Sequence, residues 1–150
     1  MRWLATLFIL ICGLTACNGQ SNAEQPQVLH FDQTIFLNNQ AIKVAVFDTA
    51  LEREQGLMWV KELPKNHGAL FVFEQEGEVR FWMKNTLISL DILFFNKQGQ
   101  LIKMIQTAQP CSKNDCPLFV AKQVKFVLEL ADNSLISQNL EANPAISLPM

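Results

Sequence analysis

Residues 81–95, Phe81-Trp82-Met83-Lys84-Asn85-Thr86-Leu87-Ile88-Ser89-Leu90-Asp91-Ile92-Leu93-Phe94-Phe95, constrain this chain more than any other stretch. Large apolar side chains dominate it, and Lys84, Asn85 and Asp91 sit among them where water is scarce. A buried polar group has to be hydrogen-bonded or paired. These three are therefore expected to satisfy one another or to hold a ligand. The pattern predicts two strands joined by a short bend at Asn85-Thr86. In the second strand Asp91, Leu93 and Phe95 share one face while Leu90, Ile92 and Phe94 share the other. Both faces are apolar, which marks an internal strand.

With 150 residues, 49% of them hydrophobic, the chain suits one domain around a single core. Its formal net charge is -2 with no basic block, so the electrostatic footprint of a nucleic-acid binder is missing. Eleven Phe beside no Tyr place the aromatic content in the core, with the three Trp as the residues able to build a binding wall.

Residues 1–16 carry a different message. Met1-Arg2 is a short positive start, an almost unbroken apolar run follows to Leu14, and Thr15-Ala16 places small residues directly before Cys17. This is the layout of a secretory signal peptide. The run falls short of the roughly 20 residues that a membrane-spanning helix needs. Leu14-Thr15-Ala16-Cys17 resembles the lipobox of bacterial lipoproteins, which implies that Cys17 becomes the lipidated first residue and anchors the protein to a membrane. Residues 18–27 lack any large apolar side chain and read as a flexible tether. By resemblance to sorted lipoproteins, Asn18 directs the protein toward the periplasmic face of the outer membrane.

The folded domain is expected over residues 28–150. Residues 31–37 and 41–47 are β-branched and aromatic around Asn38-Asn39-Gln40, a hairpin pattern. Thr49 and Glu52 form a capping box ahead of a short helix containing Arg53, which Gly56 can end. Strands are predicted over 69–73, 79–84, 88–95, 101–106 and 124–130, with a charged turn at 74–78. In the last of these, Phe126, Leu128 and Leu130 share a face opposite Val127 and Glu129. Ile146 and Leu148 allow a weak final strand. The sum is a mainly β, compact single-domain barrel or sandwich with one short helix.

Several of these segments also act as motifs. Gly56-Leu57-Met58, Gly68-Ala69-Leu70-Phe71-Val72-Phe73, Phe81-Trp82-Met83-Lys84-Asn85-Thr86, Leu90-Asp91-Ile92, Pro110-Cys111 with Cys116-Pro117, and Val127-Leu128-Glu129-Leu130 together resemble the bacterial and archaeal domain of unknown function 192 family, over about residues 41–130. The resemblance implies a compact, mainly β single domain, often behind a signal peptide, with no established activity. Ala69, Ser89 and Asp132-Asn133 depart from the pattern, where the family usually has Met, Pro and a Gly after the last strand.

Candidate site residues are Arg53, Trp82, Lys84, Asn85, Thr86 and Asp91. An internal carboxylate at Asp91 must shift its pKa, find a cation or collect hydrogen bonds, and Lys84 and Arg53 are the expected partners. Asp91 is then either a general acid or base with Lys84 and Asn85 orienting a substrate, or a structural group that holds the Asn85-Thr86 bend closed, the preferred reading. Trp82 and Lys84 share a strand face, which suits a pocket wall for an anionic or carbohydrate ligand and equally a packed Trp with a snorkelling Lys. Cys111 and Cys116 are expected to form a disulfide in an exported protein, zinc and redox chemistry being the alternatives. His30 and His67 lie in unrelated segments, so neither a metal nor a cofactor is implied. The functional expectation is an envelope ligand-binding or accessory module for a small molecule or a protein partner. The alternative is an enzyme acting on an envelope small molecule or glycan.

Overall fold

The computed structural model describes residues 25–132, 134 and 144–147. The expected signal peptide, Cys17, Asn18, the first part of the tether and Leu148 lie outside the described residues. Among the described residues no helix is long and apolar enough to cross a membrane.

The elements are β1 (Gln33–Leu37), β2 (Gln40–Phe47), α1 (Ala50–Gln55), β3 (His67–Phe81), β4 (Leu90–Phe95), β5 (Leu101–Ala108), β6 (Phe119–Ala131) and β7 (Ile146–Ser147). They form one seven-stranded sheet in the order β5-β4-β6-β3-β2-β1-β7, curled into a half-barrel. Asn38 and Asn39 both have positive φ, 48° and 65°, the backbone that lets a two-residue turn follow the twist of its strands. The β1–β2 hairpin follows from that turn. β2 and β3 run parallel, and α1 with its loop makes the crossover between them. Thr49 and Glu52 cap α1 reciprocally, and Gly56 ends it at φ 50° with its N–H on the Glu52 carbonyl.

Three expectations change. The charged segment 74–78 is not a turn between two strands but part of β3. β6 runs alongside for its whole length, and register shifts between Val72, Gly77 and Val79 absorb the surplus residues as bulges. The predicted strand over 79–84 ends at Phe81, and β4 starts at Leu90 rather than at residue 88. Residues 82–89 spend their backbone groups elsewhere: the Asn85 N–H donates to the Cys111 carbonyl, and the Trp59 N–H donates to the Asn85 carbonyl. Finally, the segment expected to be a free tether ends in contact with the domain, because the Gln27 amide donates to the Glu52 and Gly56 carbonyls and the Gln25 carbonyl accepts from Gln55.

Strand alternation gives the sheet two apolar faces. Ile35, Leu37, Ile42, Leu93, Phe95 and Leu128 pack on one. On the other, Phe47, Phe71, Phe81 and Phe94 pack under Leu57, Val60 and Met83 from the covering loops. These rings meet edge to face, Phe47–Phe71 at 5.1 Å, Phe71–Phe81 at 4.9 Å and Phe81–Phe94 at 5.6 Å between centroids. Each such pair adds about 0.5–1.5 kcal/mol beyond its buried area. Segment 144–147 bonds in two directions, β7 pairing with β1 while Ile146 N–H donates to Gly99 and Leu101 N–H to Pro144 ahead of β5.

Candidate functional site

A cleft of about 680 Å³ opens beside α1 on the face that carries the phenylalanine rings. Phe71, Phe73 and Phe81 form its back wall and Trp82, 39% exposed, forms one side. Three cations line it, the exposed Arg80, which is paired with Glu78, and two half-buried ones from different elements, Arg53 and Lys84. Arg53 on α1 donates through Nη1 to the carbonyls of Asp48 and Val72, and its guanidinium lies 5.2 Å from the centroid of Phe73. Lys84 holds its ammonium 5.1 Å from the Trp82 ring, within range of a cation–π attraction.

The loop bearing Lys84 is held from both sides. Cys111 N–H donates to Met83 and Asn85 N–H donates to Cys111, at 3.1 and 2.9 Å, while Trp59 N–H donates to Asn85 at 2.8 Å. Asn85 takes φ 56° to make these bonds, a conformation its short polar side chain tolerates. Cys111 itself is disulfide-bonded to Cys116. The buried Thr86 donates from its hydroxyl to the Lys84 carbonyl at 3.5 Å.

The floor of the cleft holds a residue that the sequence-based site set lacks. Glu129 in the middle of β6 is 4% exposed and lines the cleft. Its cross-strand neighbours on the same face are Ala69 of β3 and Ile92 of β4. Its side chain makes no hydrogen bond or ion pair among the described residues. Burial pushes its pKa up to about 8, because a charged carboxylate in low dielectric without a partner is costly. The signal for it was the one that drew attention to Asp91, a carboxyl flanked by apolar residues within a strand.

Four of the six sequence-derived candidates, Arg53, Trp82, Lys84 and Thr86, therefore meet at one cleft. Asn85 contributes through its backbone clamp. Asp91 lies elsewhere: it is 3% exposed, pairs across the sheet with Leu130, and its carboxylate accepts from the Thr107 N–H at 2.8 Å. It faces the opposite side of the sheet from Glu129, away from Lys84 and Arg53. Among the described residues no three His, Cys, Asp or Glu side chains gather as a metal site would require.

Two solved structures share this architecture. A protein of Sinorhizobium meliloti 1021, described as a candidate transcription regulator, is 26% identical, with a TM-score of 0.72 over 81% of this chain and 97% of that one. A protein of unknown function from Novosphingobium aromaticivorans DSM 12444 is 21% identical, with a TM-score of 0.70 over 83% of this chain and 94% of that one, and shows likeness of fold. No match was found among curated proteins. The model of the DUF192 family, described as "Uncharacterized ACR", matches residues 33–148, and the chain belongs to that family.

Proposed function

We propose that this protein is a ligand-binding module of the bacterial cell envelope, tethered through a lipid on Cys17 at the periplasmic face of the outer membrane, and that its ligand occupies the Glu129 cleft. The observation that carries the binding reading is the unpartnered, buried Glu129 carboxyl at the floor of an open cleft with Arg53, Lys84 and Trp82 around it. A buried carboxyl costs stability when empty-handed, and a ligand group that meets it recovers that cost. The signal-like residues 1–16 and the Cys111–Cys116 disulfide support an exported, oxidising location. The regulator role attached to the Sinorhizobium protein is not adopted, since net charge -2 without a basic block gives nucleic acid no surface.

Native mass spectrometry of the protein extracted from membranes tests the reading. A bound small molecule that is lost in Lys84→Met is the expected result, and the intact mass reports lipid on Cys17. A bare wild-type protein that co-purifies with an envelope protein would replace ligand binding with an accessory role. A second reading is enzymatic: a carboxyl with a pKa near 8 is still protonated at neutral pH and able to act as a general acid. Turnover of the recovered ligand, abolished by Glu129→Gln, would distinguish it from simple binding.

A further inference from the structure

The interior polar groups of the cleft share one property. Arg53 and Lys84 are half-buried cations, and Glu129 is a buried carboxyl facing the same space. The charged and titratable groups that face Glu129 across the cleft are Arg53 and Glu54 from α1, Glu78 and Arg80 from β3, and Lys84 from the loop after β3. Glu54 and Glu78 are exposed, and Glu78 is paired with Arg80 at 3.0 Å, so solvent and salt screen them from the interior. What remains inside is a guanidinium, an ammonium and an acid O–H. All three donate hydrogen bonds.

We propose, resting on the ligand-binding reading above, that the cleft takes a small organic carboxylate with a planar apolar body, its anion drawn to Lys84 and Arg53 and an acceptor oxygen hydrogen-bonded to the Glu129 carboxyl. Phe71, Phe73, Phe81 and Trp82 cover the body, as apolar walls with a few polar anchors do in small-molecule sites. Arg53 is already fixed by two carbonyls and the Phe73 ring, so little side-chain entropy is lost when the anion arrives. The acid form of Glu129 is the binding form. Once Glu129 ionises, its carboxylate opposes the ligand's own charge and loses the donor.

The test uses benzoate, benzamide and benzylamine, which share one ring and differ in charge, titrated into the full-length ¹⁵N-labelled protein. The Thr86 amide and the Trp82 indole N–H report binding at the cleft. Benzoate is expected to bind at least about tenfold tighter than the other two, through one charge-assisted contact. Its affinity should fall about tenfold between pH 7 and pH 9, as Glu129 passes through a pKa of about 8. Glu129→Gln, with folding verified by thermal melting, keeps a neutral donor and should flatten the pH profile. Lys84→Met should weaken benzoate at every pH. Benzamide or benzylamine binding as tightly as benzoate, or a flat wild-type profile, would overturn the carboxylate assignment and leave ligand binding standing. If no probe moves a cleft signal and the protein recovered from cells carries no small molecule, ligand binding itself fails and this proposal with it.

Discussion

Asp91 accepts a hydrogen bond from the backbone N–H of Thr107 at 2.8 Å, from the side chain of β4 to the main chain of β5. The contact lies where β5 has one residue more than β4, since Leu90 pairs with Ala108 but Ile92 pairs with Ile105. Thr107 has φ 52°, so its N–H is turned out of the ladder and the carboxylate receives it. A bulge leaves such a donor without a strand partner. The carboxyl of Asp91 is thus a stitch that fixes the register of the sheet.

Asp91→Ala is expected to lower stability by about 1–3 kcal/mol, the cost of an unsatisfied donor and a lost hydrogen bond. Asp91→Asn keeps an acceptor oxygen and should lose less. Urea denaturation measures both. Because Asp91 faces Leu130 and not the cleft, ligand occupancy per folded molecule should be unchanged in each variant.

Glu129 makes stability depend on pH. Below about pH 4.5, the ordinary value for Glu, the folded and unfolded chains both carry its proton. From there to about 8 the unfolded chain has lost it and the folded chain keeps it, so this residue removes about 1.4 kcal/mol of stability per pH unit. Above the folded value its contribution is flat. Urea midpoints measured from pH 5 to 9 should fall with rising pH in the wild type, and Glu129→Gln should remove that component of the slope.

Gly68 of β3 pairs with Leu130 of β6 and leaves no room there for a side chain. A Cβ there would lie 2.6 Å from the Glu129 carbonyl oxygen and 2.8 Å from Leu130 Cδ2. Backbone cannot step aside as a side-chain tip can, so Gly68→Ala should cost about 1–3 kcal/mol or more through overpacking. Thermal melting reports the loss. Gly77→Ala, where the added carbon meets nothing within 4 Å, is the control and should melt close to the wild type.

The disulfide reaches the site through the backbone carbonyl and N–H of Cys111. Cys111 accepts from Asn85 N–H and donates to Met83, the residues either side of Lys84. Reduction, or Cys116→Ser, releases the short 111–116 loop and should loosen that clamp. Hydrogen exchange at the Asn85 amide is expected to accelerate by at least about tenfold, equivalent to roughly 1.4 kcal/mol of local protection, whereas exchange in β4 should hold. Unchanged exchange at Asn85 would mean that the Trp59 contact alone holds the loop.

What the sequence revealed depended on how local each signal was. Asn38-Asn39, the Thr49–Glu52 capping box and the apolar run Ile92-Leu93-Phe94-Phe95 in β4 are each decided within a few residues, and the structure has them all. The length of β3 was not legible, because a bulged strand becomes continuous only when β6 supplies partners some fifty residues later in the chain. The partner of Asp91 was hidden for the same reason: it is an N–H exposed by a bulge, which no residue type announces. Asp91 and Glu129 carry the same signal, a carboxyl inside an apolar strand. Pairing of Asp91 with Leu130 and of Ile92 with Glu129 sends the two carboxyls to opposite faces. That one-residue offset assigns one to register and the other to the cleft, and a single sequence does not contain it.

The double bonding of segment 144–147 bears on how this protein stays apart from its own copies. β1 would otherwise end the sheet with a row of free N–H and C=O groups, a template on which a strand from another molecule can grow. Among the described residues β7 pairs with Phe36 and Leu37 at one end of that row, and segment 144–147 ties the same end to Gly99 and Leu101. Those few residues shorten the template that fibrous self-assembly would need.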